Sequence, residues 1–183
     1  MADDGHLVER ARAGDTAAWA SLYRSHAGRL VVWLGHLAPR DSAASAEDLA
    51  AESWLTAAER IHDFRGDDDA FAGWLFGIAR NHARNAVRRS GRRQTTPSGG
   101  TEDTLLLEVS GPALDERVAG DDWVRGALAQ LPEREREVIA CIDVVGLDNA
   151  AAAAALGISV VAVRVARHRG LGRLRRTAFA GSR

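Results

Sequence analysis

Between Ser90 and Gly120 the helical rhythm of this sequence stops, and that break constrains the fold more than any other feature. On either side, apolar residues recur every three or four positions, as in helices that bury one face. Inside the break stands Gln94-Thr-Thr-Pro-Ser-Gly-Gly-Thr101, a linker composition. The apolar run Thr104 to Val109 is short and is followed by Gly111 and Pro112, which suits an extended connector with room for one docked segment. A chain of 183 residues holds one domain or two small ones. The expected architecture is all-α: two small helical domains, at 1–93 and 115–183, joined by a flexible linker at 94–114.

Local signals divide the first unit. Leu7 to Ala13 reads as a short helix closed by Gly14, with Asp15 able to cap its successor. Trp19, Leu22, Tyr23, His26, Leu30, Trp33, Leu34 and Leu37 then recur at helical spacing until Pro39 and Asp41. Ser45 with Asp48 three residues on reads as a capping box, opening a helix to about His62. Gly66 interrupts, Asp67 to Asp69 supply a cap and favourable charge, and a further helix runs to about Arg89. In the second unit, Leu131-Pro132 marks a helix start, and Gly146 and Gly157 punctuate the remainder.

Charge narrows the function. The formal net charge is −1, which by itself announces no nucleic-acid binder. Its distribution does more. All 24 basic residues are arginine, and the stretches Arg80 to Arg93 and Arg164 to Arg176 contain no acid. Acids gather at Asp67 to Asp69, Glu102 to Asp115 and Glu133 to Glu137. Such asymmetry can hide a binding face inside a neutral total. Cys141 is the only cysteine, so no internal disulfide or cysteine-held zinc is available, and a reducing cytoplasm is the expected compartment. No signal peptide or membrane span is expected. With no phosphate loop, metal-spaced His and carboxylate set or nucleophile signature, neither an enzyme nor a cofactor is expected.

Asn149 to Leu156, Gly157, Ile158 and Ser159 to Val163 have the spacing of a helix-turn-helix. Gly157 can take the left-handed conformation of the tight turn, and Ser159 can cap the second helix. Ala153 permits a close crossing, and Leu156, Ile158 and Val163 fill the angle. Arg164, Arg167, His168, Arg169, Arg173, Arg175 and Arg176 come next, suited to the major groove and flanking phosphates. An alanine-rich hairpin with a solvated basic helix fits the same residues, since alanine satisfies almost any helical position. In the first unit, Arg80, Asn81, Arg84, Asn85 and Arg88 lie opposite an aromatic stripe, side chains matched to phosphates and base edges. Trp54, Phe71 and Trp74 are either core or stacking platforms for a melted strand. Asp48, Glu52 and Glu59 edge the preceding helix, as a solvated face or a contact surface.

Together these stretches resemble a family. Ala46-Glu-Asp-Leu-Ala-Ala-Glu-Ser-Trp-Leu55, Phe64-Arg-Gly-Asp and Phe71 to Asn81 look like region 2 of extracytoplasmic-function (ECF) RNA polymerase sigma factors. Leu131-Pro-Glu-Arg-Glu-Arg-Glu-Val138, Gly146-Leu147 and Leu156-Gly-Ile-Ser159 look like region 4. The resemblance implies a protein that joins core polymerase and opens and reads promoters. It implies that Asp48, Leu49 and Glu52 dock on the β′ clamp helices. It also puts the Ile61 to Ala70 loop and the Phe71 to Arg89 helix, with Trp74, Arg80, Asn81, Arg84, Asn85 and Arg88, at the −10 element. Arg164, Val165, His168 and Arg169 would face the −35 element, with Arg173 and Arg175 on phosphates. Glu133 to Val145 would lie near the β flap, and the linker would thread the active-site cleft. Many such proteins are held by an anti-sigma protein, a partner the resemblance leaves open.

The departures from the pattern are specific. The first helix of the turn, usually polar and acidic, is Ala150 to Ala155. Ala162 and Val165 replace Thr and Ser, and Arg167 takes a usually apolar, core-facing position, so it must snorkel or the helix must rotate. Gly73 and Gly77 replace bulkier residues, each at roughly 1 kcal/mol relative to alanine if exposed. The competing functional readings are a stand-alone dimeric helix-turn-helix regulator, recognised by tight binding to a palindromic duplex without polymerase, and a pure adaptor.

Overall fold

The structure, a computed structural model, describes residues 6–37, 44–94 and 123–180, side chains at 90–94 and 178–180 excepted. Over these residues it is helical throughout, in two modules. The first contains α1 (Leu7–Arg12), α2 (Thr16–Leu37), α3 (Ala46–Arg60) and α4 (Asp68–Gln94). Capping is provided by the residues expected to provide it. Gly14 ends α1 at φ +88°, and the Asp15 carboxylate accepts the N–H groups of Ala17 and Ala18 at 2.8 and 3.2 Å. Ser45 and Asp48 form the reciprocal capping box of α3. Asp67 accepts the Ala70 N–H at 3.0 Å. Asp68 reaches further, accepting from Leu7 and Val8 at 2.8 and 2.7 Å, which ties α1 to the start of α4.

Helix α4 continues five residues past the expected end at Arg89. The segment Ser90 to Gln94 contains one glycine and no proline, and a single glycine costs only about 1 kcal/mol, too little to stop a helix. Its apolar stripe packs between α2 and α3, with Phe71, Leu75 and Phe76 fully buried and Phe76 5.1 Å from Trp33.

The second module contains α5 (described over 123–129), α6 (Glu133–Ile139), α7 (Asn149–Leu156) and α8 (Val160–Ala180). A π-helical turn, Ala140–Val144, prolongs α6. The expected boundary at Leu131-Pro132 is observed, because Pro132 gives up only an N–H that a helix start leaves unpaired. Most of the expected linker, the apolar run Thr104 to Val109 within it, and the 115–122 start of the second unit lie outside the described residues. So do Pro39 and Asp41. Among the described residues no single helix is long and apolar enough to cross a membrane.

One half-buried histidine should make the stability of the first module depend on pH. His26 sits against Phe71, ring centroids 5.7 Å apart, and desolvation, aided by Arg29, lowers its pKa from 6.5 to about 4. The folded form therefore binds this proton less readily than the unfolded chain. Its contribution to stability is complete above pH 6.5 and is lost as pH falls towards 4. Melting temperatures measured from pH 7 to 4 should fall more steeply for the wild type than for His26→Gln. Parallel curves would show that His26 is not held neutral by burial.

Candidate nucleic-acid interface

The helix-turn-helix is formed as its residues require. Gly157 closes α7 at φ +63°, a left-handed conformation open to glycine without penalty, and its N–H returns to the Ala154 carbonyl. Asp148 caps α7 through the Ala151 N–H at 2.7 Å, and Ser159 caps α8 through Ala162 at 3.1 Å. Leu156 and Val163 are buried and Ile158 half-buried in the angle between the helices. The outer face of α8 presents Arg164, Val165, His168 and Arg169 to solvent, with Val161 beside them.

Arg167 resolves its misplacement by a third route. It neither snorkels nor rotates the helix; its guanidinium pairs with Asp143 of the π-helical turn, Nε to Oδ2 at 2.9 Å, while Ala166 takes the core-facing place. Hydrogen bonds and charge from Asp143 raise its pKa above the ordinary arginine value. Arg173, expected on phosphate, forms an ion pair with Glu135 at 2.9 Å, so its charge is partly spent within the module. Arg175 and Arg176 stand exposed towards the end of α8.

In the first module, Asn81, Arg84, Asn85 and Arg88 lie along α4, all four open to solvent. Trp74 is half-buried and stacks on Phe64, centroids 4.7 Å apart and planes 27° apart, so it is part core and part surface. Trp54 is half-buried as well, whereas Phe71 is wholly core. Arg80 departs from its expected place on an open basic face. Its guanidinium is turned into the second module, with Nε and Nη2 on the two carboxylate oxygens of Glu137 at 2.9 and 2.7 Å. Its Nη1 donates to the Leu156 carbonyl at 3.2 Å, one of the acceptors left unpaired at a helix end. The Glu137 hydrogen bonds raise the Arg80 pKa. Arg84 lies 3.4 Å from Glu133.

The acidic edge of α3 is exposed at Asp48, Glu52 and Glu59, and of the residues implied at a polymerase contact only Leu49 is out of place. Leu49 is wholly buried and has no side-chain surface to offer a partner. Asp48 is exposed but occupied in the capping box. Glu52 is exposed, 3.2 Å from His82 of α4. Between Glu52 and Glu59 stands Leu55, 62% exposed and easily missed in the sequence because it falls off the apolar stripe. At 100° per residue, positions 48, 52, 55 and 59 share a narrow arc of the helix.

Residues 22–93 match the family model "Sigma-70 region 2", and residues 121–174 match "Sigma-70, region 4". The ECF RNA polymerase sigma factor SigD of Mycobacterium tuberculosis is 36% identical over 138 residues, covering 73% of this chain and 63% of the relative. The chain thus spans less than two-thirds of that relative's length. ShbA of Streptomyces griseus, another ECF sigma factor, is 30% identical over 186 residues, covering 93% of each chain. The solved structure of CnrH in complex with the cytosolic domain of CnrY superposes with a TM-score of 0.67, at 24% identity, over 96% of this chain and 97% of that one.

Proposed function

The chain belongs to the ECF RNA polymerase sigma factors, and from this premise we propose that it binds core RNA polymerase, directs promoter recognition and melting, and is not an enzyme. The observation that carries the reading is the pairing, in one chain and in this order, of two DNA-suited faces on separate modules. Asn81, Arg84, Asn85 and Arg88 line α4, and Arg164, Val165, His168 and Arg169 line α8. Phosphate contacts position such a protein while base contacts specify its site. The α4 face, with Trp74 near it, suits a melted −10 strand, which charge and stacking recognise. The α8 face suits the major groove of a duplex −35 element.

The domain limits are 1–93 for the polymerase- and −10-binding unit, 94–114 for the linker and 115–183 for the −35 unit. The polymerase contact is the exposed arc of α3, with Glu52, Leu55 and Glu59 in place of the buried Leu49. The helix of Glu133 to Val145 faces the β flap. Two solved relatives of low identity are complexes, CnrH with the cytosolic domain of CnrY and RpoE of Bartonella quintana with the anti-sigma factor NepR. An anti-sigma protein is accordingly a candidate partner here.

Run-off transcription with core polymerase on a genomic promoter library tests the reading. We expect discrete transcripts that require both the chain and core enzyme. Tight binding to a palindromic duplex without polymerase, and no transcript with it, would establish the stand-alone regulator instead.

A further inference from the structure

We propose that α8 selects thymine by its methyl group, through Val161 and Val165, two valines set one turn apart on its outer face. The proposal rests on the reading of α8 as the −35 face and names the base-edge group which that face selects. The two valines are anomalous in their burial. A valine left in water gains nothing from packing, and it is a poorer helix former than alanine. Yet Val161 is 66% exposed and Val165 43%, while Val163 and Ala166 turn inward and are buried in the module core.

Their place on the helix is central. At 100° per residue, Val161 and Val165 lie about 40° apart, on the side opposite the buried Val163, Ala166 and Gly170. Arg164 flanks them on one side and Arg169 on the other, with His168 in the next turn, all exposed. An apolar strip therefore runs down the middle of a basic face on a helix that contains no acid. Arg167 is kept off the strip by its pairing with Asp143. An apolar protein partner would have to bury the flanking arginines with the valines. Duplex DNA takes both at once, phosphates for the arginines and base edges for the strip.

Only one group in the major groove matches an aliphatic side chain. Every base pair offers donors and acceptors there, and thymine alone adds a methyl. Valine makes no hydrogen bond, so against any other edge it leaves a polar group without a partner. Helical residues four apart have Cβ atoms about 5–6 Å apart. Bases on one strand follow at about 3.4 Å, so the two valines can rest on thymines one or two steps apart. Val161 stands in the first turn after the Ser159 cap, the end of a recognition helix that meets base edges. A valine in a helix has one dominant rotamer, so little side-chain freedom is lost on contact.

A thymine-to-uracil exchange removes the methyl and leaves the pairing edge intact. Holoenzyme made from the full chain and core polymerase is first used to select from promoters with randomised −35 sequences. Each thymine of the enriched motif, on either strand, is then replaced by uracil and promoter binding is measured. At one or two positions uracil should weaken wild-type binding about fourfold each, the worth of one buried methyl group. With Val161→Ala combined with Val165→Ala, that difference should disappear. Both sites are exposed and alanine is the better helix former, so helicity should be unchanged. Methyl reading is overturned if the motif contains no A·T pair, or if the wild type tolerates uracil at every position. The assignment to Val161 and Val165 is overturned if uracil weakens wild type and double variant alike, the mark of a methyl acting through DNA shape. Failure to enrich any −35 motif would instead strike the −35 reading of α8, and the valine proposal with it.

Discussion

Glu52→Arg combined with Leu55→Asp should abolish co-purification of the chain with core RNA polymerase. The expectation rests on an exposed arc of α3 in which an apolar side chain sits between acids. Interfaces concentrate their energy in a few such anchors, each worth about 2 kcal/mol or more. Removing the apolar anchor and reversing a neighbouring charge should weaken binding by roughly a hundredfold. Asp48 is left unchanged on purpose. Its carboxylate closes the Ser45 capping box, so reversing it would weaken α3 by about 1 kcal/mol and confuse loss of contact with loss of helix. Glu52 also faces His82 at 3.2 Å, an exposed pair whose loss costs little. Unchanged circular dichroism with normal holoenzyme formation would show that the arc is only solvated.

Arg164→Ala should relax base preference at one guanine-containing step of the −35 element, whereas Arg175→Ala should weaken all promoters alike. Arg164 leads the exposed face of α8, where a bidentate contact to guanine is worth about 1–3 kcal/mol of discrimination. Val165 beside it can pack on a thymine methyl but donates nothing, so few hydrogen bonds carry the reading. Arg175 lies at the far, exposed end of the helix, suited to phosphate, and its loss should also lessen the salt dependence of binding. Selection from randomised −35 sequences checks both variants. If Arg164→Ala returns the wild-type motif at equal information content, Arg164 does not read bases. Arg173, tied to Glu135 at 2.9 Å, should have a smaller effect than Arg175.

Much of this was legible because it rests on short-range rules. A capping box needs two residues three apart, a left-handed turn needs Gly157, and a proline start needs Pro132; each is decided within one helical turn. The apolar period of α2 likewise put Trp33 on the stripe that forms the core, whereas Phe71, open in the sequence between core and stacking platform, is fully buried. Leu49 shows where the resemblance and the packing disagreed: a residue implied at a partner surface is fully buried. Leu55 is the reverse case, an apolar residue outside the stripe whose exposure only the packed helix reveals.

The sequence alone determined an all-helical chain in two modules, the helix-turn-helix and the two acid-free arginine stretches. Helices declare themselves through near neighbours, and charge runs need no fold to be read. Only the tertiary structure decided what each arginine does. A guanidinium suits a phosphate and a carboxylate equally well, so Arg80, Arg167 and Arg173 looked alike as DNA ligands. Their partners Glu137, Asp143 and Glu135 lie 57, 24 and 38 residues away. The docking of α7 against Gly73, where a Cβ would lie 2.9 Å from the Ala151 carbonyl oxygen, was hidden for a related reason. Alanine is compatible with every helical environment, and its small volume becomes informative only when the opposing backbone is close enough to need it.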